Sequence, residues 1–401
     1  MTLDLNKVAP QIKAMGQSLA EQTSRRNQAT LEAHELLRHF SEAQDFLLDR
    51  IDRAEKVQQQ QRFDWVGAAP TAEALAQAYP LPDSPEELTV IASDGSQILP
   101  DQHAITLYYL INIGSIIYRH GSNRRPETHN PPPLLCYNPE DILDDQGRLI
   151  SSGEVNVQRD LAEIRVLTEL VTIEKDSPSP LVALIDGQLS LRVIDLPFHQ
   201  QEICQNEYIE MLTVLQENRA AVAGYIDRPR STFVLALMHL ASLAPEGVTE
   251  EGLRQNRFRH LTDLDLFDFL GPGERSAIFA TRAKGIEKYS QMGHGLHFFY
   301  LNVSHNALPK IARVEIPAWI VTDPPAIDLL HTAIVRQARL TGGYPYVLAR
   351  ADELAVISKE ERDAVEMMLA VEMRRQGLTP ALSLKQNNKN AFRARKDTFK
   401  L

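Results

Sequence analysis

Two apolar, β-prone segments far apart in the chain run into the same dipeptide, and this repetition constrains the fold more than any other feature. Glu87–Ser93 (ELTVIAS) leads into Asp94-Gly95-Ser96, and Leu181–Ile185 (LVALI) leads into Asp186-Gly187-Gln188. Between them Arg159–Glu174 (RDLAEIRVLTELVTIE) sets Leu161, Ile164, Leu167 and Val171 along one side of a helix. Strand, helix and strand, with an acid at the end of each strand, describe an α/β sheet with ligand chemistry at one edge. Asp-Gly is also an ordinary turn pair, so either motif alone says little. Two of them, with further acids nearby, say more.

The rest of the chain extends this plan. Residues 1–63 read as an N-terminal helical arm, with no proline after Pro10 and with Leu36, Leu37, Phe40, Ala43, Phe46 and Leu47 at three- and four-residue steps. Such an arm serves packing or dimerisation. A main domain spans 64–380. In it Ala104–Arg119 reads as one or two strands and Gly121–Tyr137 as a loop. A helix is expected over Ile203–Ala221, then a strand, Val222–Ile226, entering Asp227-Arg228-Pro229-Arg230-Ser231. Residues 232–291 read as a largely helical insertion. Leu296–Val303 and Lys310–Ile320 form a predicted hairpin, followed by a helix over Ala326–Leu340 and the turn Gly342-Gly343-Tyr344-Pro345. A short strand, Tyr346–Ala349, and a long helix from about Asp352 are expected next, then a basic tail over 381–401. The order predicts an α/β class: a mixed sheet flanked by helices.

Composition narrows the function. Of 401 residues, 43% are hydrophobic and 24% charged, as in a soluble globular protein. No apolar run reaches the roughly 18–20 residues that span a bilayer, and the charged N-terminus lacks a secretory stretch. No membrane association and a cytoplasmic location are therefore expected. Cys136 and Cys204 are the only cysteines, which excludes a disulfide framework or a zinc-organised fold. Nothing fits GxxxxGK[ST], so ATP hydrolysis would belong to a separate partner. The net charge of −11 decides nothing, because carboxylates that hold metals contribute to it and bound cations reverse their field.

The acids carry the chemistry. Two-metal phosphodiester hydrolysis needs carboxylates from separate elements converging so that the ions sit about 3.5–4 Å apart; one ion activates water and the other stabilises the departing oxygen. Asp94 and Asp186 are the natural pair. On the intervening helix, Glu163 borders the apolar stripe beside Leu167 and Leu170, whereas Glu169 lies on the wet side; only one can face the site. Glu163 is the choice, against an ordinary surface glutamate paired with Arg159 one turn away. Asp352 supplies a fourth acid, or simply caps the last helix. Oxygen ligands without a His/Cys cluster suit Mg²⁺ or Mn²⁺.

VIASDGS, RDLAEIRVLTEL, LVALIDGQLS, AGYIDRPRS and GGYPYVLARADELAVI occur in the order seen in the NurA nucleases, and from about Glu87 to Ile357 the chain resembles that family. The resemblance implies a ribonuclease-H-like fold, a homodimer, and manganese-dependent cleavage of DNA as a 5′-to-3′ exonuclease and single-strand endonuclease. It also implies work with a HerA-type hexameric ATPase in processing double-strand breaks. Carried over by position, Asp94, Glu163, Asp186 and Asp352 are the metal and catalytic acids. Tyr225 matches a tyrosine near the site, and Arg228 and Arg230 suit phosphate binding. Where the family has Ala-His this chain has Ala351-Asp352. Either the aspartate substitutes as a ligand or His331, upstream, supplies the imidazole; Asp352 is favoured. The competing readings are a non-catalytic dimeric adaptor for a DNA translocase and a phosphoesterase of small phosphate esters.

Overall fold

The computed structural model describes residues 4–378 apart from 62, 145 and 307, so the basic tail lies outside the described residues. The chain weaves between two compact units. The first comprises Met1–Pro85, Gly187–Ser190 and Ala221–Pro345; the second comprises Glu86–Asp186, Leu191–Ala220 and Tyr346–Leu401.

In chain order, the first unit opens with α1 (Leu5–His39), α2 (Gln44–Gln61) and β1 (Gly67–Pro70). The second then supplies β2 (Leu88–Ile98), β3 (Tyr109–His120), β4 (Glu127–His129) and β5 (Leu134–Cys136). It continues with α3 (Pro139–Ile142), α4 (Ser152–Glu174), β6 (Leu181–Asp186) and α5 (Phe198–Glu217). The chain returns to the first unit for β7 (Ala221–Asp227), α6 (Phe233–Ser242), α7 (Glu250–Arg254), α8 (Asp263–Leu266) and β8 (Phe279–Arg282). There follow α9 (Glu287–Gln291), β9 (Leu296–Asn302), β10 (Ile311–Pro317), α10 (Ala318–Val321) and α11 (Pro324–Thr341). Finally α12 (Tyr346–Ala355) and α13 (Lys359–Arg375) close the second unit.

In the second unit the strand order is β4-β3-β2-β6. The first three strands are antiparallel neighbours, and β6 lies parallel to β2 after the crossover through α4. This is the arrangement the ribonuclease-H-like expectation requires. The strands are mixed, as antiparallel hairpins joined to one parallel crossover must be. A capping box starts α4: the Glu154 N–H donates to Ser151 Oγ at 3.2 Å and the Ser151 N–H donates to Glu154 Oε2 at 2.6 Å. Its apolar stripe, including Leu161, Ile164, Leu167 and Val171, is buried. α4 packs against β2 and α5.

In the first unit β1-β8-β9-β10-β7 form a wholly antiparallel sheet. Phe267, Phe279, Phe298 and Tyr300 stack at its centre. Ala33 and Leu37 of α1 and Leu47, Ile51 and Ala54 of α2 join that core, so the helical arm is rooted in it. Asp263 is fully buried there. It accepts from the N–H groups of Phe233 and Leu235, at 2.8 and 3.0 Å, and from the Tyr300 hydroxyl at 2.6 Å. It thereby satisfies donors that the start of α6 leaves open.

Several local expectations are corrected. Tyr346–Ala349 is not a strand but the start of α12, and the last helix begins at Lys359 rather than at Asp352. The segment 121–137 is not all loop, since it holds β4 and β5, and 232–291 contains β8 among its helices. The first strand does not end at Asp94: β2 runs through Asp94-Gly95-Ser96 to Ile98 because β3 pairs with it along its whole length.

Candidate active site

The two aspartates are brought together by register. In the parallel pair of β2 and β6, Ser93 lies opposite Ile185. The next residue on each strand is an aspartate. Asp94 and Asp186 thus leave neighbouring strands at one level, where strands lie about 4.8 Å apart and side chains at one level share a face. Asp186 ends β6 and is exposed; Asp94 is half-buried, its Oδ1 accepting the Gly95 N–H at 2.8 Å.

Glu163 arrives from α4, which is tied to β2 by the Ser93 hydroxyl donating to the Glu163 carbonyl at 2.8 Å. Gly95 leaves room for it. A methyl group at 95 would lie 2.6 Å from Glu163 Oε1 and 2.7 Å from Arg159 Cγ. Glu163 is only 8% exposed, whereas Glu169 faces solvent, so the helix presents Glu163 to the site. Its Oε1 stands 3.0 Å from Arg159 Nε, yet the two are misaligned and neither atom makes a hydrogen bond. The Arg159 guanidinium also donates to Asp160 Oδ1 at 2.7 Å and to Gln97 Oε1 at 3.2 Å.

Asp352 is delivered by α12. The residue opposite Asp94 on β3 is Gly114, and a methyl there would meet the backbone of Ala351, Leu354 and Ala355 at 2.5–2.6 Å. The missing side chain lets the helix lie directly on the strands. Ser96 Oγ and Asn112 Nδ2 donate to the Ala355 carbonyl at 2.5 and 2.8 Å, and Asn130 Nδ2 donates to that of Leu354 at 3.2 Å. These bonds satisfy carbonyls at the helix end. Val347, Leu348, Ala351 and Ala355 are buried, which turns Asp352 outward into solvent.

The four acids form one electrostatic group. Burial pushes the Asp94 carboxyl up to about 6, the Gly95 N–H opposes this, the Asp186 and Asp352 carboxylates push it further, and Arg159 offsets part. Burial also drives Glu163 well above the usual glutamate range. Asp160 adds to that, Arg159 opposes it, and Asp94 and Asp186 contribute further. Asp160 is itself raised by burial, against the pull of Arg159. Asp160, Arg159 as a hub, and Gln97 are what sequence reasoning missed. The available signal was spacing: Asp160 lies one helical turn before Glu163.

The donor set is wholly carboxylate, so it suits a hard divalent cation. Several acids face one arginine, and a buried Glu163 oxygen lacks a hydrogen bond. A site so short of positive charge fits a metal. Among the described residues, no three His, Cys, Asp or Glu side chains are already drawn into a ligand cluster.

The other candidates lie in the first unit. Tyr225 on β7 is completely buried and packs edge-on against Tyr344, ring centres 5.4 Å apart. Arg228 has a left-handed backbone, φ 43°, and an exposed side chain beside Asp227, while Arg230 is also exposed. His331 is fully buried with Nε2 2.7 Å from the Gly273 carbonyl, and burial lowers it to about 4. It is a neutral packing residue.

Antiparallel hairpin, α-crossover and parallel strand, in the order β4-β3-β2-β6, define a ribonuclease-H-like α/β protein. The family model described as NurA domain matches residues 88–357, two thirds of the sequence and every element that carries an acid. The chain belongs to the NurA family. It is also similar to a solved structure, the NurA nuclease from Sulfolobus solfataricus, at 12% identity over 84% of this chain and 96% of that one, with a TM-score of 0.47. No curated protein matches it. Among the described residues no helix is long and apolar enough to cross a membrane.

Proposed function

We propose that the chain is a metal-dependent DNA nuclease whose acidic site is built from Asp94, Glu163, Asp186 and Asp352. The observation that carries this reading is the register of β2 and β6, which sets Asp94 beside Asp186 with Glu163 electrostatically coupled to both. Asp94 and Asp186 would hold the cations from the sheet, Glu163 from α4 and Asp352 from α12. A pair of Mn²⁺ or Mg²⁺ ions would supply the positive charge that acidifies an attacking water and offsets charge on the departing oxygen. Gly95 and Gly114 keep the two helices close to the strands, so that acids on four elements can act on one phosphate. Arg228 and Arg230 serve as phosphate contacts. Tyr225 is enclosed in the core of its own unit, where it packs edge-on against Tyr344.

Family membership supports the finer reading: 5′-to-3′ exonuclease and single-strand endonuclease action on DNA ends, as a homodimer, with a HerA-type ATPase in double-strand break repair in the cytoplasm. The test incubates the protein with end-labelled single- and double-stranded DNA, with manganese or chelator, beside Asp94→Ala and Asp186→Ala. Metal-dependent cleavage lost in both variants is expected. Intact DNA in every lane, including lanes supplied with a cognate ATPase, overturns the nuclease reading in favour of a non-catalytic adaptor.

A further inference from the structure

The acidic group has one feature that ligand binding alone does not explain: a guanidinium is built into it. Arg159 lies on α4 one turn before Glu163 and its side chain is largely covered. It reaches Asp160 at 2.7 Å, Glu163 at 3.0 Å and Gln97 at 3.2 Å, and it acts electrostatically on Asp94 as well. Its contact with Asp160 is a good hydrogen bond; its contact with Glu163 is not, since neither Nε nor Oε1 has a hydrogen-bond partner. Arg159 is therefore anchored at one end, by Asp160 and Gln97, and only electrostatically engaged at the other.

We propose that Arg159 is a resident counter-cation for this site: it stands against Glu163 while no metal is bound, and a divalent cation must compete with it for Glu163. The inference rests on the metal-binding reading above. A buried carboxylate is costly to ionise, and the Arg159 guanidinium, 3.0 Å from Glu163 Oε1, lowers that cost where a metal would otherwise have to. The same guanidinium then opposes a second positive charge. Its geometry fits both duties. The Asp160 and Gln97 bonds hold its stem in place when Glu163 turns away, and the misaligned Glu163 contact is the one that can be given up with least loss. Arg159 thus sets how tightly the site takes a metal and keeps the acids apart but folded until it does. It is a positioning residue: it acts on the reaction through Glu163.

The test measures Mn²⁺ binding by calorimetry and thermal stability in chelator, for the full chain and for Arg159→Met, Arg159→Lys and Glu163→Gln. Arg159→Met is expected to bind Mn²⁺ roughly tenfold more tightly, because a repelling charge is gone. In chelator it should melt below the wild type, and manganese should restore the difference. Arg159→Lys keeps the charge and should stay within about threefold of the wild-type affinity. Glu163→Gln should weaken binding. Affinity unchanged or weaker in Arg159→Met overturns the proposal, since a purely structural or DNA-contacting arginine would behave so. If Arg159→Met fails to fold, Arg159→Lys and Arg159→Gln still decide: equal Mn²⁺ affinity in the two also overturns it. No Mn²⁺ binding by the wild type overturns the metal reading itself, and with it this inference, which distinguishes the two failures.

Discussion

Replacing Asp94 by asparagine should remove the proposed metal chemistry and at the same time stabilise the metal-free protein. The side chain keeps its size and can still accept the Gly95 N–H, but the negative charge is gone. In the fold the Asp94 carboxyl is raised from 3.8 to about 6 by burial and by its acidic neighbours. At 1.36 kcal/mol for each tenfold change, this represents about 3 kcal/mol, and about 1–3 kcal/mol once solvent at the half-covered site is allowed for. The sign follows from the direction. A carboxyl raised in the fold favours its protonated form there, so its contribution is complete below 3.8 and is lost as pH rises through about 6. In chelator at pH 8, Asp94→Asn should therefore exceed the wild type in urea stability by about 1–3 kcal/mol, and the gap should close towards pH 4. Manganese should reverse the order, because only the wild type gains binding free energy. Equal or lower stability of Asp94→Asn in chelator at pH 8 would show that neither burial nor the neighbouring acids disfavour the Asp94 carboxylate in the fold.

Glu163→Gln should abolish cleavage while Glu169→Gln leaves it within about twofold, as labelled-DNA assays can measure, because only the first side chain is turned to the site. Gly114→Ala should cost about 1–3 kcal/mol or more in denaturant stability and reduce cleavage with it, since the clash is with helix backbone and not with a movable side-chain end. Gly95→Ala meets the mobile ends of Glu163 and Arg159, so it should lower Mn²⁺ affinity more than it lowers stability; the reverse ranking in calorimetry and melting would count against the site. His331→Ala should lower stability by about 2–4 kcal/mol through lost packing and an unpaired Gly273 carbonyl. Its Mn²⁺ affinity should match that of the wild type.

How much of this was legible in the sequence depends on which force decides each element. β6 and α4 were readable because an apolar run and a 3.6-residue stripe each matched their burial. So was the hairpin of β9 and β10, because it is local. α12 was misread because Tyr346, Val347 and Leu348 favour strands. The fold instead buries Val347, Leu348, Ala351 and Ala355, a helical spacing that becomes visible only when the whole turn is counted. The first strand was expected to end at Asp94 because Asp-Gly usually closes one; here the partner strand and the closely packed α4 make glycine necessary within a strand. For the site, the acids themselves could be chosen from strand ends and helix faces. The part played by Arg159 could not, since a surface arginine and a covered one have the same letter, and only the packing of α4 on β2 decides between them.

The interleaving of the two units has a consequence for biogenesis. α12, which carries Asp352 and fills the space above Gly114, is encoded after all of the first unit, long after the strands it covers have emerged. Ser96, Asn112 and Asn130 must wait for their carbonyl partners until α12 has been made. Sequence separation of this kind slows folding, because the intervening chain must be ordered or closed off before the contact is rewarded. A nascent chain halted before Tyr346 would present an uncovered strand surface and only three of the four candidate acids, so the proposed site stays incomplete until α12 emerges.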